Sequence, residues 1–216
     1  MKGMKLSAEN SVLKRRHGSM KNAVMENDLY YCTHFGVMDQ DEQDIWSFSV
    51  KHSDAAAGLT YYLQNRAFSN EISGLMRTYV VREQETDEFV AYFSLKAGLV
   101  STEEHKLSDQ ETIFDTLPGV ELAFFAVNEQ YAKGRRGIGA MVFEDFVEPI
   151  VREASKQIGI YLIYIFALPE KALIENYHRN YGFMRLSREA ETDLHARLRP
   201  RVDRDCIFMY KLIRNE

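Results

Sequence analysis

After Ile45, large apolar and polar residues alternate through Trp46-Ser47-Phe48-Ser49-Val50, the period of a strand with one covered face. A helical stretch follows through Leu59, Tyr62, Leu63 and Phe68, with Ser53 or Asp54 placed to cap it. Asn70 and Gly74 suggest a break into two short helices. Residues 77–82 and 89–100 read as strands, and the charged stretch 83–88 suits a hairpin loop between them. A polar loop then runs to Leu117-Pro118-Gly119, before a strand at 120–127. Apolar residues recur at Ile138, Val142, Phe146, Ile150, Ala154 and Ile158, one stripe of a helix spanning 137–157. Pro149 interrupts that stripe and predicts a kink. Ile160-Tyr161-Leu162-Ile163-Tyr164-Ile165-Phe166 is almost continuously apolar, as a strand covered on both faces should be. A helix at 170–180, a short strand at 183–186 and a last strand at 206–212 complete the order.

Residues 1–44 show no sustained period. A short helix over 11–25 is weakened by Gly18, and the run Asp39-Gln40-Asp41-Glu42-Gln43-Asp44 reads as a solvated connection. The pattern therefore divides the chain into an arm over 1–44 and one α/β domain over 45–216.

Charge changes this picture only at its margins. The net charge of −5 argues against a surface given over to nucleic acid, while leaving room for a local basic patch. Cys32 and Cys206 stand far apart in sequence and suggest neither a zinc site nor a disulfide framework, so no metal is expected. No apolar run has the length of a membrane span, and the residues after Lys14-Arg15-Arg16-His17 lack the apolar core of a signal peptide. A cytoplasmic protein without membrane contact is the expectation.

The segment with the clearest chemistry is Glu121-Leu122-Ala123-Phe124-Phe125-Ala126-Val127, a polar loop, and then Gly137-Ile138-Gly139-Ala140 opening a helix. A helix amino terminus leaves backbone N–H groups unpaired and carries the positive end of a dipole. Glycines let the backbone approach a phosphate, and Lys133, Arg135 and Arg136 add charge beside it, so a diphosphate suits the site. No Gly-Lys-Ser/Thr follows as in a nucleotide P-loop, and no third glycine completes a dinucleotide fingerprint. A tight strand-to-helix connection with solvated basic residues fits the same stretch taken alone.

The Glu-Leu-Ala-Phe-Phe-Ala-Val strand, Arg135-Arg136-Gly137-Ile138-Gly139-Ala140, and Asn176-Tyr177-His178-Arg179-Asn180-Tyr181-Gly182-Phe183 together resemble the GNAT acetyltransferase superfamily. The resemblance runs from Ile45 to the carboxyl end. It implies a mixed, mostly antiparallel sheet flanked by helices and splayed between the fourth and fifth strands, counted from the strand at 45–50. It implies acetyl-CoA as co-substrate, its pyrophosphate held by Lys133, Gly134, Arg135, Arg136, Gly137, Ile138, Gly139 and Ala140. Its pantetheine would pair with backbone groups of Phe125 and Val127. By the same resemblance Glu121 is a general base and Tyr177 the acid that protonates the departing thiolate. Three positions depart from the usual pattern. Gly134 stands where Gln or Arg is usual, and Ala167-Leu168-Pro169 lacks the usual asparagine. Tyr177 stands six residues before Phe183 rather than five, which leaves Tyr181 as the other candidate.

The implied activity is acetyl transfer to a primary amine of a small molecule or peptide. The strand around Phe93-Ser94-Leu95-Lys96-Ala97-Gly98 also resembles the toxin branch of the superfamily, which acetylates aminoacyl-tRNA; the acidic charge ranks that acceptor second. A non-catalytic acyl-CoA-binding module is the third reading, and a homodimer is compatible with all three. Six arginines between 185 and 204 fit either an anionic acceptor or local ion pairs with neighbouring acids.

Overall fold

The structure is a computed structural model that describes residues 23–50, 54–108, 111–134, 137–198 and 205–213, with the backbone alone at 54–56, 102–108, 111–115, 133–134 and 197–198. Eight strands among the described residues form one sheet. They are β1 (Met25–Glu26), β2 (Tyr30–His34), β3 (Arg77–Glu83), β4 (Phe89–Ser108), β5 (Glu111–Val127), β6 (Leu162–Ala167), β7 (Met184–Arg185) and β8 (Ile207–Leu212). Their spatial order is β1-β2-β3-β4-β5-β6-β8-β7. All neighbours are antiparallel except β5 and β6, whose parallel pairing covers only Gly119↔Leu162, Val120↔Ile163 and Glu121↔Tyr164. Beyond Glu121 the two strands part, which is the expected splay.

Helices cover both faces. Over β3, β4 and β5 lie α1 (Asp41–Asp44), α2 (Asp54–Asn65) and α3 (Ala67–Ile72). Phe48, Tyr62 and Leu63 reach Val80, Tyr92 and Ala126 there, and the Tyr62 and Phe124 rings stack 3.5 Å apart. On the same face α8 (Arg188–Leu198) sets Leu194 against Val100, Leu162, Tyr164 and Phe208. The opposite face carries α4 (Glu129–Gly134), α5 (Ile138–Val142), a π-helical turn (Phe143–Val147), α6 (Glu148–Ser155) and α7 (Lys171–Tyr181). Val142, Phe143, Phe146 and Val147 from this side are fully buried.

Several expectations change. The segment 45–50 is not a strand: Ile45 and Phe48 continue α1 as turns, their amides bonding the carbonyls of Asp41 and Asp44. A three-residue spacing buries both, whereas Trp46 is 66% exposed. Within the segment 1–44, read as an arm or extension, β1 and β2 join the sheet, and Tyr30, Tyr31, Cys32 and Phe35 are core. The acidic run at its end is not a solvated connection either. Asp41 is fully buried, accepts bonds from the Gly36 and Met38 amides and pairs with Arg82. The anticipated cap at Ser53 lies outside the described residues, and the break between α2 and α3 falls at Arg66.

The loop expected before Pro118 is the far half of a hairpin, with β4 and β5 paired out to Ser108↔Glu111. Helix α8 occupies part of the arginine-rich stretch read as a connection. The helix over 138–155 is interrupted by its π turn just before Pro149, which lies in the first turn of α6. Proline has no N–H to give the carbonyl four residues back, and the wider π spacing absorbs that defect without a break.

Candidate functional site

The site is built where β5 leaves β6. Asn128 ends the strand: its amide reaches the Val90 carbonyl, its side-chain nitrogen the Phe89 carbonyl, and its side-chain oxygen accepts from the Gln130 amide. The last contact makes it the cap of α4, so the expected polar loop contains a short helix. That helix contains Lys133 and Gly134 as its last residues. Arg135 and Arg136, expected at the pyrophosphate, lie outside the described residues.

Gly137 then caps α5 at φ +84°, a left-handed conformation that disfavours side chains. A Cβ on Gly139 would stand 2.7 Å from the Tyr181 hydroxyl and 3.7 Å from Val127. The turn is thus open at Gly137, where a Cβ would meet nothing within 4 Å, and closely packed at Gly139. Ile138 is buried, and Gly139 and Ala140 are half-buried. Phe125 and Val127 are half-buried and pack on the helix side of the sheet, with Phe125 edge-on to Tyr181 at 5.9 Å. Their strand segment follows the last β5–β6 pair, so its edge toward β6 is open to an added strand. These residues fit a pyrophosphate and a pantetheine arm.

The two catalytic candidates do not meet. Tyr177 is 9% exposed and sits edge-on to Tyr181 and Phe183, its phenol raised well above the usual range by burial and then by Tyr181. It belongs to the core on the α5–α7 face. Glu121 follows the alternation of β5 onto the other face, between Val120 and Leu122, which point to that core. Its carboxylate accepts from Lys96 Nζ at 3.3 Å, and Tyr164 is its register partner on β6. Tyr181 is the tyrosine whose hydroxyl meets the glycine turn. Burial raises its phenol, a bond with Asn176 opposes this, and Glu144 adds to the rise. His178, five residues before Phe183, is exposed and its Nδ1 engages the Phe183 carbonyl.

Lys96 and Tyr164 were not singled out from sequence. Their only signal was polarity: a lysine, and a phenol within an almost wholly apolar strand. Cross-strand register, which brings both to Glu121, was not legible. Among the described residues, no cluster of three or more His, Cys, Asp or Glu is gathered as a metal site. No described helix is long and apolar enough to cross a membrane.

No family model matches the chain. Solved structures do. A Tyr-to-Phe variant of the AtaT toxin superposes with TM-score 0.60 at 17% identity, over 87% of this chain and 92% of that one. A Tyr-to-Phe variant of KacT gives 0.60 at 20% identity, over 86% and 95%. AtaT complexed with acetyl-methionyl-tRNA gives 0.57 at 16%, over 83% and 93%. AtaT and KacT are GNAT-fold proteins, and this chain has the same GNAT-like fold, with its splayed sheet.

Proposed function

We propose that the protein transfers the acetyl group of acetyl-CoA to the α-amino group of an aminoacyl-tRNA. The observation that carries the proposal is the splay after the Glu121–Tyr164 pair, bordered by Phe125 and Val127 and ending at the Gly137–Gly139 cradle. AtaT solved with acetyl-CoA and with acetyl-methionyl-tRNA supports both donor and acceptor. The acidic charge had ranked tRNA below a small amine; the AtaT complex supports the opposite order. AtaT bound to the carboxyl terminus of the antitoxin AtaR also makes a protein partner part of this reading.

Chemistry favours the same acceptor. An α-amine titrates at about 8 and a lysine amine at about 10.4, so the α-amine is far more often neutral and needs less help from a base. Its nitrogen forms the new C–N bond as the C–S bond breaks. Glu121 accepts the proton that the nitrogen loses, directly or through water, and a backbone N–H near Phe125 to Val127 stabilises the carbonyl oxygen. The departing thiolate needs a proton. We assign that donor to Tyr181, because its hydroxyl is the one that lies beside Gly139 of the glycine turn. AtaT and KacT solved as Tyr-to-Phe variants support seeking the donor among tyrosines.

The test gives purified protein labelled acetyl-CoA with charged tRNA, deacylated tRNA, free methionine or a lysine peptide. Alkali-labile label on charged tRNA alone is expected. Label on a free amine but not on tRNA would sink the acceptor assignment. Acetyl-CoA binding without label on any acceptor would leave a binding module.

A further inference from the structure

Of the six arginines between 185 and 204, Arg185 and Arg188 serve different ends. Arg185 on β7 pairs with Glu191 at 2.9 Å, and the other carboxylate oxygen of Glu191 accepts from the Phe208 amide. Both oxygens of that carboxylate are thus engaged inside the protein. Arg188, at the start of α8, is exposed and has no carboxylate partner among the described residues.

Both arginines border a cavity of about 750 Å³ between β7, α8 and the start of β8. Arg188, Thr192 and His195 line it from one face of α8, at the spacing that aligns side chains along a helix. His195 Nε2 is buried and has no hydrogen-bond partner among the described residues. Its ring lies 6.3 Å from that of Phe166, against the sheet. Folded proteins pair nearly all their buried polar atoms. A buried ring nitrogen without a partner, on the same cavity wall as an arginine without a carboxylate, suits a ligand rich in acceptor oxygens. The volume is that of a small-molecule pocket.

The position of the cavity selects the ligand. Phe166 follows Tyr164 by two residues on β6 and shares its face, and Tyr164 is the register partner of Glu121. The cavity therefore lies on the β6 side of the splay, over the face that carries the Glu121 carboxylate. We propose that it takes the phosphate of the tRNA nucleotide that bears the aminoacyl group, with the Arg188 guanidinium and His195 Nε2–H as donors. Holding that phosphate under α8 leaves the amine free to reach the splay. The assignment rests on aminoacyl-tRNA as acceptor.

The test measures the affinity of a deacylated tRNA with and without its terminal nucleotide. Native protein is expected to bind the intact tRNA roughly 10-fold more tightly, the scale of one hydrogen bond to a charged group. His195→Phe keeps a ring against Phe166 and removes both nitrogens, and Arg188→Ala removes the guanidinium. Each is expected to bring that ratio close to one with acetyl-CoA affinity unchanged. His195→Gln, whose amide can donate near the Nε2 position, restores part of the ratio, which a loss of packing alone would not. A ratio of one in the native protein, or an undiminished ratio in either variant, overturns the proposal; label transfer to charged tRNA then leaves the acceptor reading standing. Should the native protein label no charged tRNA, that reading fails, and the cavity is decided with adenosine monophosphate alone. Movement of the His195 imidazole resonances that Arg188→Ala abolishes upholds a nucleotide-phosphate site, and unmoved resonances reject it.

Discussion

Two carboxylate clusters sit on one face of the sheet and serve opposite ends. At Arg82 the guanidinium is fully buried and pairs with Asp41 at 2.7 Å and Asp44 at 2.6 Å, while Nη1 also reaches the Asp87 carbonyl. The Phe89 ring lies beneath it at 5.3 Å. Burial alone would favour the neutral form, but the hydrogen bonds and charges of Asp41 and Asp44 outweigh it and raise the guanidinium. Asp41 also caps the turn at Gly36 and Met38, so its acceptor capacity is well used inside the protein. The Lys96–Glu121 pair is looser: the contact is 3.3 Å and both side chains are partly open to water. A mostly buried cluster, with Asp44 partly exposed and Arg82 Nε left without a partner among the described residues, ties the turn after β2, α1 and β3 together. A partly satisfied one, at the point where strands diverge, has capacity left for a substrate.

That contrast is sharpest under substitution. The largest effect is expected at Asp41→Ala, which strands a buried guanidinium and should cost about 3–5 kcal/mol in urea unfolding. Glu121→Gln should alter the same transition by less than ~1 kcal/mol. Equal losses would erase the distinction between the clusters. In turnover the order inverts, with Glu121→Gln expected to lower kcat/KM ~100-fold, the contribution of one general base; a native rate would remove Glu121 from the chemistry. Next in size is Arg135→Ala/Arg136→Ala, expected to weaken acetyl-CoA by roughly 10-fold in calorimetric titration. Unaltered affinity would leave the cradle to its backbone amides alone.

The smallest effect concerns a third cluster of intermediate burial. Glu148 accepts from Lys211 at 2.6 Å and from Arg152 at 2.7 Å. Burial works to raise its pKa, but Lys211 and Arg152 prevail and hold it below the ordinary 4.5. A carboxylate depressed in the folded state stabilises the fold above its unfolded value, and that stability is lost as pH falls through the folded value. Unfolding followed from pH 7 to pH 3 should therefore lose about 1 kcal/mol below about pH 4.5, and Lys211→Met should flatten this decline. An identical decline in the variant would assign the acid sensitivity elsewhere.

Periodicity carried most of the fold because local burial and local spacing coincide in strands β3, β4, β6 and β8 and in the helix over 138–155. It failed where tertiary contacts set the meaning of a pattern. Trp46-Ser47-Phe48-Ser49-Val50 alternates like a strand, yet Phe48 is claimed by Phe89 and Tyr92 at 4.8 and 5.4 Å, and Asp41 anchors the turn to Arg82. Asp41 looked solvated because charge in a short acidic run is usually solvated; its partner stands 41 residues away. The glycine turn was legible from Gly137 and Gly139 themselves, since backbone freedom is a property of the residue. Tyr177 and Tyr181 were not separable for the complementary reason: the sequence locates a tyrosine on a helix but not the side it presents.

The sequence by itself therefore determined the order of most elements and the strand-to-helix glycine turn, because each follows from residue type and nearby spacing; Glu121 entered as a candidate through the family resemblance alone. Only the tertiary structure decided that β1 and β2 join the sheet, that the hydroxyl beside the glycine turn is that of Tyr181, and that Lys96 and Tyr164 flank Glu121 across the strands. Those outcomes depend on register between distant strands and on the face each helix buries, which the packing of the whole chain fixes.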